Sequence, residues 1–141
     1  MPVLFDSSVY IRALREPGEW RILFERWARE TPLWLSAVVL EELYAGAGAS
    51  DRRFVAKLEH DFERAERILV PSLKDWVHAG RILAHVGQKF GYEQIGRARL
   101  TNDALIAVSA ARVGIVVLTA NRKDFARLAE FCPLQWQVAT G

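Results

Sequence analysis

The stretch that most constrains this chain runs from Thr101 to Phe125, TNDALIAVSAARVGIVVLTANRKDF. Thr101 is a good helix N-cap, and nearly unbroken apolar residues follow from Ala104 to Ala111. Gly114 supplies a helix stop. Ile115-Val116-Val117-Leu118 then reads as a strand buried on both faces. Thr119, Asn121 and Asp124 open another helix. A helix, strand, helix unit whose polar groups sit only at its ends has to be covered on both sides. Asp103 falls in the predicted first turn of the apolar helix, at the edge of the core, where a carboxylate requires partners. The macrodipole alone favours an acid there by about 0.3–1 kcal/mol, so Asp103 marks a site only if other acids join it.

The chain has 141 residues, which predicts a single domain over 1–141 with one sizeable core. Hydrophobic residues make up 51%, with five Trp, a surplus that suggests an apolar surface covered by another chain. The net charge of +2 is too small to argue nucleic-acid binding by itself. No apolar run is long enough to span a membrane, because Arg112 and Gly114 break the nearest one. The one cysteine, Cys132, excludes an internal disulfide and fits a reducing cytoplasm. It reads as a buried structural thiol.

In order, Pro2 to Phe5 is a short apolar strand ending on Asp6. Ser7 and Ser8 are predicted to cap a helix over Val9 to Leu14, broken by Pro17-Gly18. A second helix spans Glu19 to about Arg29, and Leu33 to Leu35 is the next strand. Ser36 caps a helix from Ala37 to Ala45, and a charged helix runs from Asp51 to about Arg67. Ile68 to Val70 is a third strand, stopped by Pro71. Ser72 caps a long helix through about Phe90, a loop covers Gly91 to Arg99, and Leu134 to Val138 forms a final edge strand.

Short apolar strands alternating with helices predict an α/β fold with a parallel sheet covered on both faces. Ligands of such sheets bind beyond the carboxyl ends of the strands. That edge collects Asp6, Asn121 and Asp124. It collects Asp103 too, if the loop from Gly91 delivers its helix there. Glu41 and Glu42 are adjacent, so at about 100° per residue only one can face the site. Val38, Val39 and Leu43 mark the buried side, and Glu42 projects between the first two. Glu42 is the inward acid.

Asp6, Glu42, Asp103 and Asp124 thus come from four distant segments yet can reach one edge. Several carboxylates in a pocket repel unless a cation sits among them, and all-oxygen ligation selects Mg2+ or Mn2+. His60, His78 and His85 lack zinc spacing and read as structural or solvent-facing. The natural chemistry is phosphodiester hydrolysis, in which such an ion polarises the phosphoryl oxygen and lowers the pKa of its bound water.

Four motifs in order now carry a resemblance. They are Asp6-Ser7-Ser8-Val9, the run from Ser36 to Gly46 (SAVVLEELYAG), Asn102-Asp103-Ala104-Leu105-Ile106-Ala107, and the run from Val117 to Phe125 (VLTANRKDF). The chain resembles a PIN-domain ribonuclease, specifically the VapC-type toxins of bacterial toxin–antitoxin pairs, over essentially its full length. The resemblance implies a PIN-like three-layer sandwich, a short parallel central sheet with helices on both faces. It further implies a metal-dependent endoribonuclease whose metal-site acids are Asp6, Glu42 and Asp103, with Ser8 at the position two residues after the first acid. Some family members carry an acid where Asn121 stands and others three residues later, where Asp124 stands. Asn121 as N-cap with Asp124 at N3 explains the same pair structurally. A homodimer and a cognate antitoxin are implied as well.

Six basic residues against two acids lie between Arg97 and Arg127. Arg97, Arg99, Arg122 and Lys123 flank the acidic motifs and are the candidate RNA contacts, together with Ser8, Thr119 and Asn121. Arg112 and Arg127 fit a solvated helix face better. A haloacid-dehalogenase-type phosphatase would need an acid where Ser8 stands, and a receiver domain one where Val70-Pro71 stands. The remaining alternative is a PIN-like module that binds RNA or protein without cutting.

Overall fold

A computed structural model describes residues 1–92 and 98–139. Arg97, most of the expected loop from Gly91 to Arg99, and the side chain of Arg99 lie outside the described residues. The elements, in order, are β1 (Val3–Phe5), α1 (Ser7–Arg15), α2 (Pro17–Glu30), β2 (Leu33–Ser36), α3 (Ala37–Gly46) and α4 (Ala49–Arg64). There follow β3 (Ile68–Leu69), α5 (Leu73–Phe90), α6 (Ala98–Val113), β4 (Val116–Thr119), α7 (Arg122–Ala129) and β5 (Trp136–Val138).

The strands form one five-stranded sheet in the order β3-β2-β1-β4-β5. Every pairing is parallel, with Val3 opposite both Leu33 and Val116 and Phe5 opposite Leu118. Helix α1 packs against α2 and α3, α3 packs against α4, and α5, α6 and α7 pack together as a second group. This is the expected α/β sandwich, and Val116, Val117 and Leu118 are buried on both faces. Strand order reverses between β1 and β4, which are neighbours in the sheet but far apart in the chain. A crevice at the carboxyl ends is expected there.

The core is continuous through the sheet and the apolar helix α6, where Ala104 through Ala107 are at most 2% exposed. Each large apolar side chain so buried contributes about 1.5–3 kcal/mol against exposure. Helix α6 ends as expected: Gly114 takes φ 73°, Ile115 N donates to Ala110 O at 2.9 Å and Gly114 N to Ala111 O at 3.3 Å. That is a Schellman cap, for which glycine is the suited residue. The start of α6 differs from expectation. It begins at Ala98, so Thr101 is inside the helix and Asp103 lies beyond its first turn. Thr101 carries a local capping signal but lies within the helix, so that signal does not mark its start. The macrodipole therefore weakens as an explanation for Asp103.

Two other starts also differ. Asp6, not Ser7 or Ser8, is the N-cap of α1, and Pro17 occupies the first turn of α2 rather than merely ending α1. Ser36 caps α3, and Ser72 with Asp75 forms a reciprocal capping box on α5. Asp75 is 2% exposed and is bound by Arg112 of α6, with Nη2 to Oδ2 at 2.9 Å. Arg112 therefore ties the end of α6 to the start of α5 rather than lying loose on a solvated face. Arg127 likewise sits over the Phe90 ring, 4.6 Å from its centroid. His60, His78 and His85 are exposed, with His85 stacked on Phe131. Trp20, Trp27 and Trp34 pack against the core, but Trp76 is 56% exposed. It lies on the same exposed turn of α5 as Leu73 and Val77. Cys132 is buried, and burial pushes its thiol above the ordinary range.

Candidate active site

Asp6 stands where the strand order reverses. Its amide donates to Leu118 O of β4 at 3.0 Å, which fixes the residue at the carboxyl end of the sheet. Its carboxylate caps α1 by accepting from Val9 N at 3.4 Å. Two hydroxyls complete its surroundings. Ser8 Oγ donates to Oδ1 at 2.5 Å and Thr119 Oγ1 donates to Oδ2 at 2.6 Å. Both hydroxyls also accept from backbone amides, Ser8 from Ala120 at 3.0 Å and Thr119 from Asn121 at 2.9 Å. Each hydroxyl proton is thereby directed at Asp6.

Asp6 is 1% exposed and Thr119 fully buried. Burial pushes the Asp6 carboxyl above its ordinary value, and the hydrogen bonds from Ser8, Thr119 and the α1 amides oppose that rise without cancelling it. A carboxylate held this way is costly to ionise and gains from any nearby positive charge.

Glu42 is half-buried on α3 while Glu41 is exposed, so the inward acid is the one the apolar sector indicated. Asp103 is 2% exposed on α6. The elements bearing these acids touch in a ring, with α1 against α3, α3 against α6, α6 against β4, and β4 against α1. Asp124 is half-buried at the third position of α7. Asn121 caps that helix by accepting from Asp124 N at 3.4 Å, and Asn121 Nδ2 donates back to Asp124 Oδ2 at 2.7 Å. Hydrogen bonds therefore run from Asp6 through Thr119 and Asn121 to Asp124. Arg122 and Lys123 are exposed at the start of α7, beside this chain of contacts.

The donor types suit a hard divalent cation, since Asp6, Glu42 and Asp103 offer only carboxylate oxygens and Ser8 and Thr119 add hydroxyls. Their placement does not form a coordination cluster. Among the described residues, no three His, Cys, Asp or Glu side chains gather closely enough to hold an ion between them. Asp6 is turned instead to the hydroxyls of Ser8 and Thr119. The residue chemistry fits the ion, and the buried Asp6 supplies the demand for its charge.

Sequence reasoning placed Ser8 and Thr119 among the substrate contacts and missed that both hydroxyls hold Asp6. The signal was available in part: a hydroxyl two residues after a strand-end acid, and another ending the neighbouring buried strand. The Ala120 amide, which orients Ser8, left no side-chain signal at all.

These features belong together in one family. The PIN domain model matches residues 3–131, and the chain belongs to the PIN domain family. Among solved structures the chain is similar to VapBC-1 from nontypeable Haemophilus influenzae, at 26% identity and a TM-score of 0.67 over 100% of both chains. It is also similar to the DNA-bound VapBC from Salmonella typhimurium, at 24% identity and a TM-score of 0.73 over 99% of each chain. VapBC2 from Rickettsia felis, bound to a promoter DNA fragment, matches at 23% identity and a TM-score of 0.67 over 98% of each chain. Among curated proteins none matches significantly. The neighbours support the VapC-type reading within the PIN family. No described helix is long and apolar enough to cross a membrane.

Proposed function

We propose that the chain is the toxin of a toxin–antitoxin pair, a Mg2+- or Mn2+-dependent endoribonuclease. The observation that carries this reading is the buried Asp6 at the reversal point of a PIN-fold sheet, its carboxyl pushed up by burial and oriented by two hydroxyls. Asp6, Glu42 and Asp103 would hold the ion. When bound, it supplies Lewis-acid polarisation of the phosphodiester and a water acidic enough to act as nucleophile. Ser8 and Thr119 keep both Asp6 oxygens in a fixed orientation, and Asn121 carries that order on to Asp124. Asp124 acts on the site through this relay. Arg122 and Lys123 hold the RNA backbone, with Arg97 and Arg99 as further contacts.

The family resemblance gives products with a 5′-phosphate and a 3′-hydroxyl. An antitoxin and a second copy of this chain are the partners, and the VapBC relatives favour the first of these. The deciding experiment is cleavage of structured RNA by purified protein, with and without EDTA, and with product ends mapped. Cutting that persists in EDTA, or at the parent rate in Asp6→Asn, removes the mechanism. Binding of RNA without cutting across metals and RNA classes would favour a non-catalytic module. Light scattering that finds a monomer at micromolar concentration removes the dimer.

A further inference from the structure

Two grooves open along α1 beside the Asp6 site. One, of about 390 Å³, is lined by Ser8, Ile11, Arg12, Arg15 and Glu16. The other, of about 330 Å³, is lined by Ile11, Leu14, Arg15 and Glu42, among others. The first groove reaches the hydroxyl that holds Asp6, and the second reaches the α3 acid. Arg15 and Ile11 belong to both, so α1 is the wall between them. Ser8, Arg12 and Arg15 stand at i, i+4 and i+7, on one helix face, over about 10 Å.

Both arginines are exposed, and neither is in an ion pair among the described residues. The acids facing them are Glu16 in the first groove, Glu42 and Asp51 in the second, and Glu19 of α2, which feels the charge of Arg12. On the far side of Ser8 the Ala120 amide is bonded to its hydroxyl, and α7 begins two residues later with Arg122 and Lys123. Exposed cations therefore flank the Ser8–Asp6 pair on both sides, from α7 and from α1.

We propose that Arg12 and Arg15 bind backbone phosphates of the RNA on the α1 side of the site, as positioning residues that set where the strand lies across Asp6. This rests on the ribonuclease reading. A guanidinium fork matches phosphate geometry, and backbone contacts fix register without reading sequence. Together with Arg122 and Lys123 they define a path from α7 across Ser8 to the two α1 grooves.

The test measures binding of a short fluorescein-labelled single-stranded RNA of random sequence to full-length protein in the Asp6→Asn background, which prevents cutting. Anisotropy is followed across a salt series. The added pair Arg12→Gln/Arg15→Gln should weaken binding on the order of tenfold or more at low salt. It should also flatten the slope of log affinity against log salt by about 0.7 for each phosphate that is no longer neutralised. Arg12→Lys/Arg15→Lys should keep most of that slope, a rescue that a merely structural role would not produce. Arg52→Gln/Arg53→Gln, on the exposed face of α4, should leave it unchanged. An unchanged slope in the glutamine pair, with circular dichroism matching the parent, overturns the proposal and leaves the ribonuclease reading intact. Flattening of the same size in the α4 pair overturns it too, as a general charge effect. A parent protein that binds no RNA at any salt overturns both.

Discussion

Thr119 donates its hydroxyl to Asp6 across the junction of β1 and β4, at 2.6 Å, with both residues buried. The donor is itself aimed by the Asn121 amide, so the bond is set by backbone on one side and by a helix cap on the other. Thr119→Val keeps the shape and removes the donor. The Asp6 carboxyl then rises further, and a buried charge loses a hydrogen bond worth about 1.5–3 kcal/mol. Denaturant unfolding should show that loss at neutral pH and a smaller one in acid, where Asp6 is protonated. Thr119→Ser should recover most of it. Equal losses at both pH values would point to packing instead.

Asp6 itself should oppose stability once ionised. Its folded-state pKa is raised, so the proton is held more tightly folded than unfolded, and stability falls as pH rises through the folded value. Asn is an equally good N-cap. Asn presents one oxygen instead of two, so Asp6→Asn loses one hydroxyl bond at every pH. Relative to the parent, however, it should gain stability as pH rises from below the unfolded value to neutral without metal. Mn2+ should raise the melting temperature of the parent and not of the variant. A difference from the parent that does not change between acid and neutral pH would mean the charge is already compensated within the fold.

Asp75 has the opposite sign. Burial pushes its carboxyl up, but Arg112 and the Ser72 cap outweigh that and hold it below the ordinary range. Its contribution is present above the unfolded value and is lost as pH falls through the depressed folded one. Arg112→Gln should cost roughly 1–3 kcal/mol at neutral pH, between the exposed-pair and buried-pair ranges because Arg112 is 41% exposed while Asp75 is buried. The difference from the parent should shrink in acid. A constant difference down to low pH would separate the loss from this pair.

Two helix ends make a matched test of backbone strain. Helix α4 closes with Glu66 at φ 57°, with Arg67 N donating to Phe62 O at 3.0 Å. This is the same cap that Gly114 makes on α6, but with a side chain in the left-handed region. Glu66→Gly should gain about 0.5–1 kcal/mol and Gly114→Ala should lose about 1 kcal/mol. Nothing lies within 4 Å of a Cβ at Gly114, so its loss would be conformational alone. A neutral result at both ends would show that these caps tolerate either residue.

The parts readable in advance were those fixed by local pattern. The run Val116 to Leu118 could only be a doubly buried strand, and the apolar sector of α3 told Glu42 from Glu41. Asn121 and Ser36 announced the helices they cap. The start of α6 was not legible, because the capping signal at Thr101 falls inside the helix. The surroundings of Asp6 were not legible either. They depend on β1 and β4 being neighbours, which is a property of strand order and not of either strand. The expected apolar surface shows only partly among the tryptophans: Trp76 is exposed, whereas Trp20, Trp27 and Trp34 pack against the core, because which neighbour covers each helix sector is decided elsewhere in the chain.

That β1–β4 junction also sets a timetable. Asp6 leaves the ribosome 113 residues ahead of the hydroxyl that orients its second oxygen. Loop closure over such a distance is slow to form and comes late in folding. A chain interrupted anywhere between β1 and β4 carries the acid but not its setting. Until β4 has been made, the hydroxyl that orients Asp6 is absent. On the proposed ribonuclease reading the site is therefore assembled only after that strand emerges, and a partner aimed at it would meet it only then.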